Sequence, residues 1–372
     1  MQTSKQKEPL LRKPGVQTLL ASLICILLGL LVGYIALLII NPAGATKALL
    51  DVIKNFWAYS KPDKQLKNFG ITLVTTAPLL MCSLSVLFAY KVGLFNIGAA
   101  GQYLAGAGAS IYCALALHLP WYLCIIAAIL AGALLGAISG TLKAYRNVNE
   151  VISCIMLNWI SLYLVNTLLT PVKNPTGKDT FTITSQNKAA LLPTAGLGKL
   201  FNQKNVTIAV PLAILMCVLI WILLNKTVLG YELRATGLNK NAAKYCGMKD
   251  KFNIILTMAI AGGLAGMGAA LLYLSDFEQW AVTQASVPAM GFNGIAAAFL
   301  GGLHPIGAIF SSYFIQHITR GGANVNMNMY CAQISDLISS VIIYMCGFVL
   351  FMKQFMTKRL DARENRKGGN NK

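Results

Sequence analysis

Carboxylates are few in this chain of 372 residues: 12 Asp and Glu stand against 31 Lys and Arg, and charged residues of both signs make up only 12 %. With 56 % hydrophobic residues and a mean hydropathy of +0.61, charge-free stretches far exceed what a soluble core helix needs. A bilayer-spanning helix takes about 20 apolar residues, so a soluble enzyme, a secreted disulfide scaffold and a disordered chain are excluded. Nine cysteines contain no C-x-x-C pair, and those inside apolar runs read as small hydrophobic side chains. His118, His304 and His317 have no Cys or carboxylate at ligand spacing, which argues against a metal site. No G-x-x-x-x-G-K-[ST] occurs, so the chain lacks the loop that cradles nucleotide phosphates.

What is present is a map of membrane edges. Charge-free intervals run over residues 14–46, 68–90, 92–142, 151–172, 205–225, 252–275 and 279–319, and 321–352 is interrupted only by Asp336. The stretch 92–142 has room for two crossings with a turn near Pro120, and 279–319 holds two only if they are short or broken. The spacing predicts an all-α integral membrane protein of about 10 transmembrane helices. Residues 16–40 are too long a run for a signal-peptide core, which predicts a retained first helix.

Lys and Arg in the connections set the orientation. With the N-terminus inside, inner segments hold 20 of the 31 basic residues: the leader 1–14, Lys91, Lys143 and Arg146, the loop 226–251 and the tail 353–372. An even span number places both ends in the cytoplasm. Between leader and tail, residues 15–352 read as one transmembrane domain, with outer loops 41–67 and 171–204 that carry five Lys each. The +19 charge lies in membrane-proximal loops without interleaved aromatic platforms, so it indicates anionic lipid headgroups of the bilayer and no nucleic acid.

Glycines at four-residue spacing, Gly29/Gly33, Gly132/Gly136/Gly140 and Gly262/Gly266, line small residues along helix faces and let backbones approach. Two segments go further. Gly93-Leu94-Phe95-Asn96-Ile97-Gly98-Ala99-Ala100-Gly101-Gln102 interrupts an apolar run with polar amides, and Gly291-Phe292-Asn293-Gly294-Ile295 leads to Gly301-Gly302-Leu303-His304-Pro305 about 200 residues later. The spacing suggests two related halves of five spans, and an odd number per half inverts the second. Inverted repeats with broken helices are a transporter device, since non-helical backbone at membrane depth must face protein or a water-filled cavity. Coincidental packing glycine is the plainer alternative for this feature.

The loop 226–251 is the third informative segment. Gly237 and Gly247 bracket about nine residues of helical propensity, with Asn239 as N-cap and Ala242, Ala243 and Cys246 on one small face. Such a helix suits a partner's groove; a solvated connector would read alike.

The Gly93 to Gln102 run, Asn149-Glu150-Val151-Ile152-Ser153-Cys154-Ile155-Met156-Leu157-Asn158, Arg234-Ala235-Thr236-Gly237 and Gly291 to Gly307 together resemble the permease subunits of bacterial ABC importers for nucleosides, within the ribose and branched-chain amino acid permease group. The resemblance covers roughly residues 68–352. It implies a multi-pass subunit of the bacterial cytoplasmic membrane that pairs with a second homologous permease, docks cytoplasmic ABC ATPases carrying ATP and Mg, and receives a nucleoside from an extracytoplasmic substrate-binding lipoprotein. It further implies that Gly237 to Gly247 is the ATPase-coupling helix, Arg234 stabilising its start. Phe95, Asn96, Gln102, Asn149, Glu150, Asn158, Phe292 and Asn293 become candidates for lining or bracing the path. Family members usually carry Glu where this chain has Ala100, and often Asp where it has Asn293. No cofactor is expected in the chain itself and no catalysis.

Riboflavin or a simple sugar is the alternative cargo within the group. An ion-coupled secondary transporter is the rival class, and it would bury carboxylates as ion or proton sites. Here only Glu150 and Asp336 lie near or within spans, and Glu150 beside Asn149 also suits a helix N-terminus. A channel would need no docking loop.

Overall fold

The computed structural model describes residues 14–326, 330, 334–349 and 351–359. The leader to Lys13, Cys331 and the basic tail beyond Arg359 lie outside them, and Asp336 lies outside the residues whose side chains are described. Within the described residues all regular structure is helical apart from two isolated bridges, Lys173 to Thr180 and Asp179 to Ala281.

The first half comprises α1 (Pro14–Ile40), the amphipathic α2 (Ala45–Lys54), α3 (Pro62–Lys91), α4 (Ala99–Leu115), α5 (Trp121–Arg146) and α6 (Glu150–Leu169). One-turn helices α7 (Ile183–Gln186) and α8 (Leu197–Leu200) interrupt the long connection to α9 (Ala209–Lys226). Then come α10 (Val228–Leu238), α11 (Lys240–Tyr245), α12 (Asp250–Tyr273), α13 (Met290–Leu300), α14 (Pro305–Gly321) and α15 (Ile334–Cys346). Among the described residues six helices, α1, α3, α5, α6, α9 and α12, are long and apolar enough to cross a bilayer. The remaining apolar helices are shorter. As the spacing predicts, 92–142 divides into α4 and α5, with Pro120 as the N-cap of α5, and 279–319 into the short α13 and α14.

Helices α3 and α12 are the most enclosed of the six, and α1, α6 and α9 the least. Each central helix packs on the opposite half: α12 lies against α4 and α5, and α3 lies against α13 and α14. Glycine permits the first of these contacts. A Cβ on Gly136 would collide with the Met258 carbonyl, one on Gly132 with the Gly262 carbonyl, one on Gly266 with the Ala128 carbonyl, and one on Gly106 with the Gly266 backbone. The four-residue spacing thus places α5 and α12 backbone to backbone, where dispersion between close-packed main chains replaces side-chain interdigitation.

The connection 170–208 folds over one end of the bundle. Asn187 Nδ2 donates to the Ala114 and Leu119 carbonyls (3.0 Å each), Asn205 Nδ2 to the Ser275 carbonyl (2.8 Å), and the Leu192 amide to the Leu274 carbonyl (3.0 Å). The Asp276 carboxylate accepts from the amides of Ile183 (3.0 Å) and Thr184 (3.2 Å). The first four bonds supply partners for carbonyls at or just beyond the ends of α4 and α12, and the Asp276 carboxylate serves the first amides of α7. Lys178, Lys188, Lys199 and Lys204 remain exposed on this cap, as do Lys47, Lys54, Lys61, Lys64 and Lys67 on the neighbouring segment.

Candidate functional site

Helix α3 ends at Lys91 and the backbone turns at Gly93, whose φ of +77° is a left-handed conformation that suits glycine. Residues 92–98 then run back into the bundle before α4 starts at Ala99. Inside a bilayer such non-helical backbone needs protein partners, and three amides provide them. The Asn96 Nδ2 donates to Gln102 Oε1 (2.8 Å) and Ser85 Oγ (3.0 Å), and Gln102 Nε2 donates back to Asn96 Oδ1 (3.1 Å). Asn158 Oδ1 accepts from the Gly101 amide (2.8 Å) while its Nδ2 donates to the Ile97 carbonyl (3.2 Å). Asn96, Gln102 and Asn158 are all buried. They therefore brace the break between α3 and α4 rather than line an open path, and Asn158 does so from α6, roughly 12 Å along that helix from its start.

The second motif meets the first. A Cβ on Gly291 would overlap the Ala100 backbone, and one on Gly294 would lie 2.7 Å from Cys82 Cβ. Ala100 is buried under α13, which accounts for a small uncharged residue there. Phe95 is partly buried, 6.4 Å ring to ring from Phe299, and Tyr90 stands edge-on to Phe299 at 5.3 Å. Phe299 also borders a cavity of about 420 Å³, walled further by Phe292, Ile295, Ile343, Tyr344 and Phe348. Phe292 and Tyr344 are open to the surface, and Asn293 is half-buried next to Phe292. Of the sequence candidates, Phe292 lines this cavity.

The loop 226–251 touches the same break. A Cβ on Gly237 would collide with the Val92 carbonyl, and one on Gly93 would lie 2.8 Å from the Gly237 oxygen. Asn253 Nδ2 donates to Thr236 Oγ1 (2.8 Å), tying the loop to α12. The sequence reading places Gly237 at the start of a nine-residue helix; instead it lies in the last turn of α10, because extended Asn239 (φ −154°) separates α10 from α11. The second helix is correspondingly shorter, Lys240–Tyr245. Asn239 does act as its N-cap, accepting from the amides of Asn241 (3.1 Å) and Ala242 (3.0 Å). Gly247, with φ +80°, follows its end. Arg234 sits within α10, where its Nε reaches the Gly230 carbonyl at 3.4 Å. The expected small face is divided: Ala243 is buried against the chain, whereas Ala242 and Cys246 are exposed. Leu238 (89 % exposed) and Tyr245 (94 %) are the most exposed of the large apolar side chains on this loop, with Val228 and Tyr231 also outward.

Asn149 and Glu150 stand apart from the break. Asn149 caps α6, its Oδ1 accepting from the Val151 amide (2.9 Å), and Glu150 pairs with Lys143 Nζ at 2.8 Å. Both stabilise a helix start at the bundle's edge, where an anion is favoured by the helix dipole. Several partners escaped the sequence reading: Ser85 and Asn253 as hydrogen-bond partners, and Tyr90, Phe299 and Tyr344 as ring neighbours. Nothing in local pattern marks them, since each is an ordinary helix residue whose partner lies outside its own helix.

A family model described as branched-chain amino acid transport system / permease component matches residues 68–346. The chain is 32 % identical over 338 residues to the guanosine ABC transporter permease protein NupP of Bacillus subtilis, covering 87 % of this chain and 92 % of that protein. It is 33 % identical over 302 residues to the nucleoside ABC transporter permease protein NupB of Lactococcus lactis, covering 78 % and 82 %. The guanosine ABC transporter permease protein NupQ of the same Bacillus strain is 28 % identical over 256 residues, covering 65 % and 77 %. No solved structure matches.

Proposed function

The chain belongs to the permease-component family of the branched-chain amino acid transport system, and from that premise we propose that it is a permease subunit of an ATP-driven importer, forming half of a nucleoside path across the bacterial cytoplasmic membrane. The observation that carries this reading is the similarity, along most of both chains, to permeases named for guanosine and nucleosides. As a membrane subunit it is not an enzyme.

The proposed topology has ten spans in two inverted halves of five, with both termini cytoplasmic. The reciprocal packing of α3 on α13 and α14, and of α12 on α4 and α5, supports it. On this topology the capped end with its exposed lysines faces outward, toward a substrate-binding lipoprotein, and α10 and α11 face the cytoplasm. The ATPase then docks on α11, with Leu238 and Tyr245 as apolar contacts and Ala242 allowing close approach, and supplies the ATP and Mg that this chain does not hold. Two permeases of one Bacillus strain match this chain, which favours a second, homologous permease as the partner across the path.

A nucleoside is uncharged and polar, with an aromatic base. The cavity by Phe292, Phe299 and Tyr344 offers ring faces for stacking without a counter-charge. The ion-coupled alternative has little support: Glu150 is engaged by Lys143. The test is uptake of labelled guanosine into proteoliposomes holding this chain with its co-expressed neighbours. Co-elution of an ATPase and a strict need for ATP are expected; uptake by this chain alone, driven by a proton or sodium gradient, would overturn the reading. Thermal stabilisation of the lipoprotein by guanosine or inosine, and not by ribose or riboflavin, is the expected cargo result.

A further inference from the structure

A second cavity, of about 650 Å³, lies between α1 and α14. Its walls are Leu19, Leu23 and Ile26 on one side and Phe310 and Phe314 on the other, and its end carries His304 and Lys353. Two of the three hydroxyls that line it are committed to carbonyls: Ser22 Oγ donates to the Leu300 carbonyl (2.8 Å) and Ser311 Oγ to the Ala297 carbonyl (2.6 Å). The long part of the groove is therefore mainly apolar, while its mouth carries the Lys353 ammonium beside the His304 imidazole. Behind the mouth, Lys91 is within electrostatic reach of Lys353 and Arg234, and His304 within reach of Lys91. Among the described residues no carboxylate lines the groove.

The dimensions fit one leaflet. The α1 wall runs from Gly15 to Ile26, which at about 1.5 Å per residue is roughly 16 Å, half of a hydrocarbon core of about 30 Å. Basic pockets between transmembrane helices on the cytoplasmic side recognise anionic headgroups, and a continuous apolar wall of one-leaflet length suits an acyl chain.

We propose that this groove is a binding site for an anionic glycerophospholipid of the inner leaflet, its phosphate held by Lys353 and His304 and one acyl chain lying between Leu23 and Phe310. The inner-leaflet placement rests on the topology proposed above. The groove shares no lining residue with the cavity at Phe292; a lipid held there fixes the first helix to the α13–α14 hairpin.

The complex is purified in mild detergent from membranes containing phosphatidylglycerol, and retained lipid is quantified by mass spectrometry. Two variants are compared with the parent: Lys353→Glu, which reverses the charge at the mouth, and Leu23→Trp, which fills the apolar part. Lys226→Glu, a basic residue absent from the groove lining, is the control. Lys353→Glu is expected to lower retained phosphatidylglycerol at least about fivefold, the equivalent of about 1 kcal/mol per basic side chain near anionic headgroups, with phosphatidylcholine unchanged; Leu23→Trp should also lower retained phosphatidylglycerol, and Lys226→Glu should leave it at the parent's level. Inorganic phosphate should not displace the lipid. Unchanged retention in both variants, equal retention of phosphatidylcholine, displacement by phosphate, or cross-linking of a Leu23→Cys variant to the second permease would each overturn the proposal. Retention is read without uptake, so failure of the importer reading leaves this test intact.

Discussion

Asn149 and Asn158 occupy the same helix and both satisfy main-chain groups at a helix start, yet their substitution should have very different consequences. Asn149 caps α6 at the bundle's edge, where water replaces a lost bond; its change to Ala should cost about 1 kcal/mol. Asn158 is buried and serves two main-chain groups of the α3–α4 break, the Gly101 amide at 2.8 Å and the Ile97 carbonyl at 3.2 Å. Asn158→Leu keeps the volume roughly and orphans both. At about 1–3 kcal/mol per buried unsatisfied group the loss is roughly 2–6 kcal/mol, with no water in the bilayer core to relieve it. Thermal unfolding of the purified complex, followed by fluorescence-detected size exclusion, should rank the parent and Asn149→Ala close together and Asn158→Leu far below. ATP-driven uptake should fall with Asn158→Leu in the fraction that remains folded, because α4 loses its anchor. Equal thermal loss for the two variants, or none for Asn158→Leu, would refute the bracing role.

Gly237→Ala pushes a methyl into the Val92 carbonyl, an overpacking of about 1–3 kcal/mol, and should uncouple ATP hydrolysis from uptake while membrane insertion, measured by membrane fractionation, is unchanged. Tyr245→Asp puts a charge on a side chain that is 94 % exposed; the chain should fold normally but lose co-purification of the ATPase, read by pull-down. Glu150→Gln removes a partly exposed ion pair with Lys143, worth at most about 1 kcal/mol, so uptake should change by less than about fivefold; abolished uptake would revive a proton-relay role. Gly132→Leu cannot be accommodated against the Gly262 carbonyl and should abolish the folded, monodisperse subunit in size exclusion.

Charge-free intervals located the long helices because removing a charge from water is costly wherever it happens along the chain, and glycine spacing located the α5–α12 contact because only small residues let main chains meet. Asn239 was legible as a cap because capping is local. The break at 92–98 was legible as polar residues in an apolar run, but the partners were not: Asn96 with Gln102 is a contact six residues away, whereas Asn158 with Gly101 joins helices 57 residues apart. The inward turn of Ala243 was hidden for the same reason. It depends on how α11 sits against α12, and a six-residue helix leaves too little periodicity to fix its buried face.

The placement of α12 bears on how the chain is made. Its glycine face fits α5, and it also contacts α3 and α4, so the main-chain surface of α5 at Gly132 and Gly136 stays unmatched until residue 273, the end of α12, has left the ribosome. During synthesis the six apolar helices that precede α12 (α1, α3, α4, α5, α6 and α9) must therefore stay loosely assembled until α12 arrives to close them. A chain interrupted between α6 and α12 would leave behind a half that is inserted but unassembled, the kind of product that membrane proteases clear.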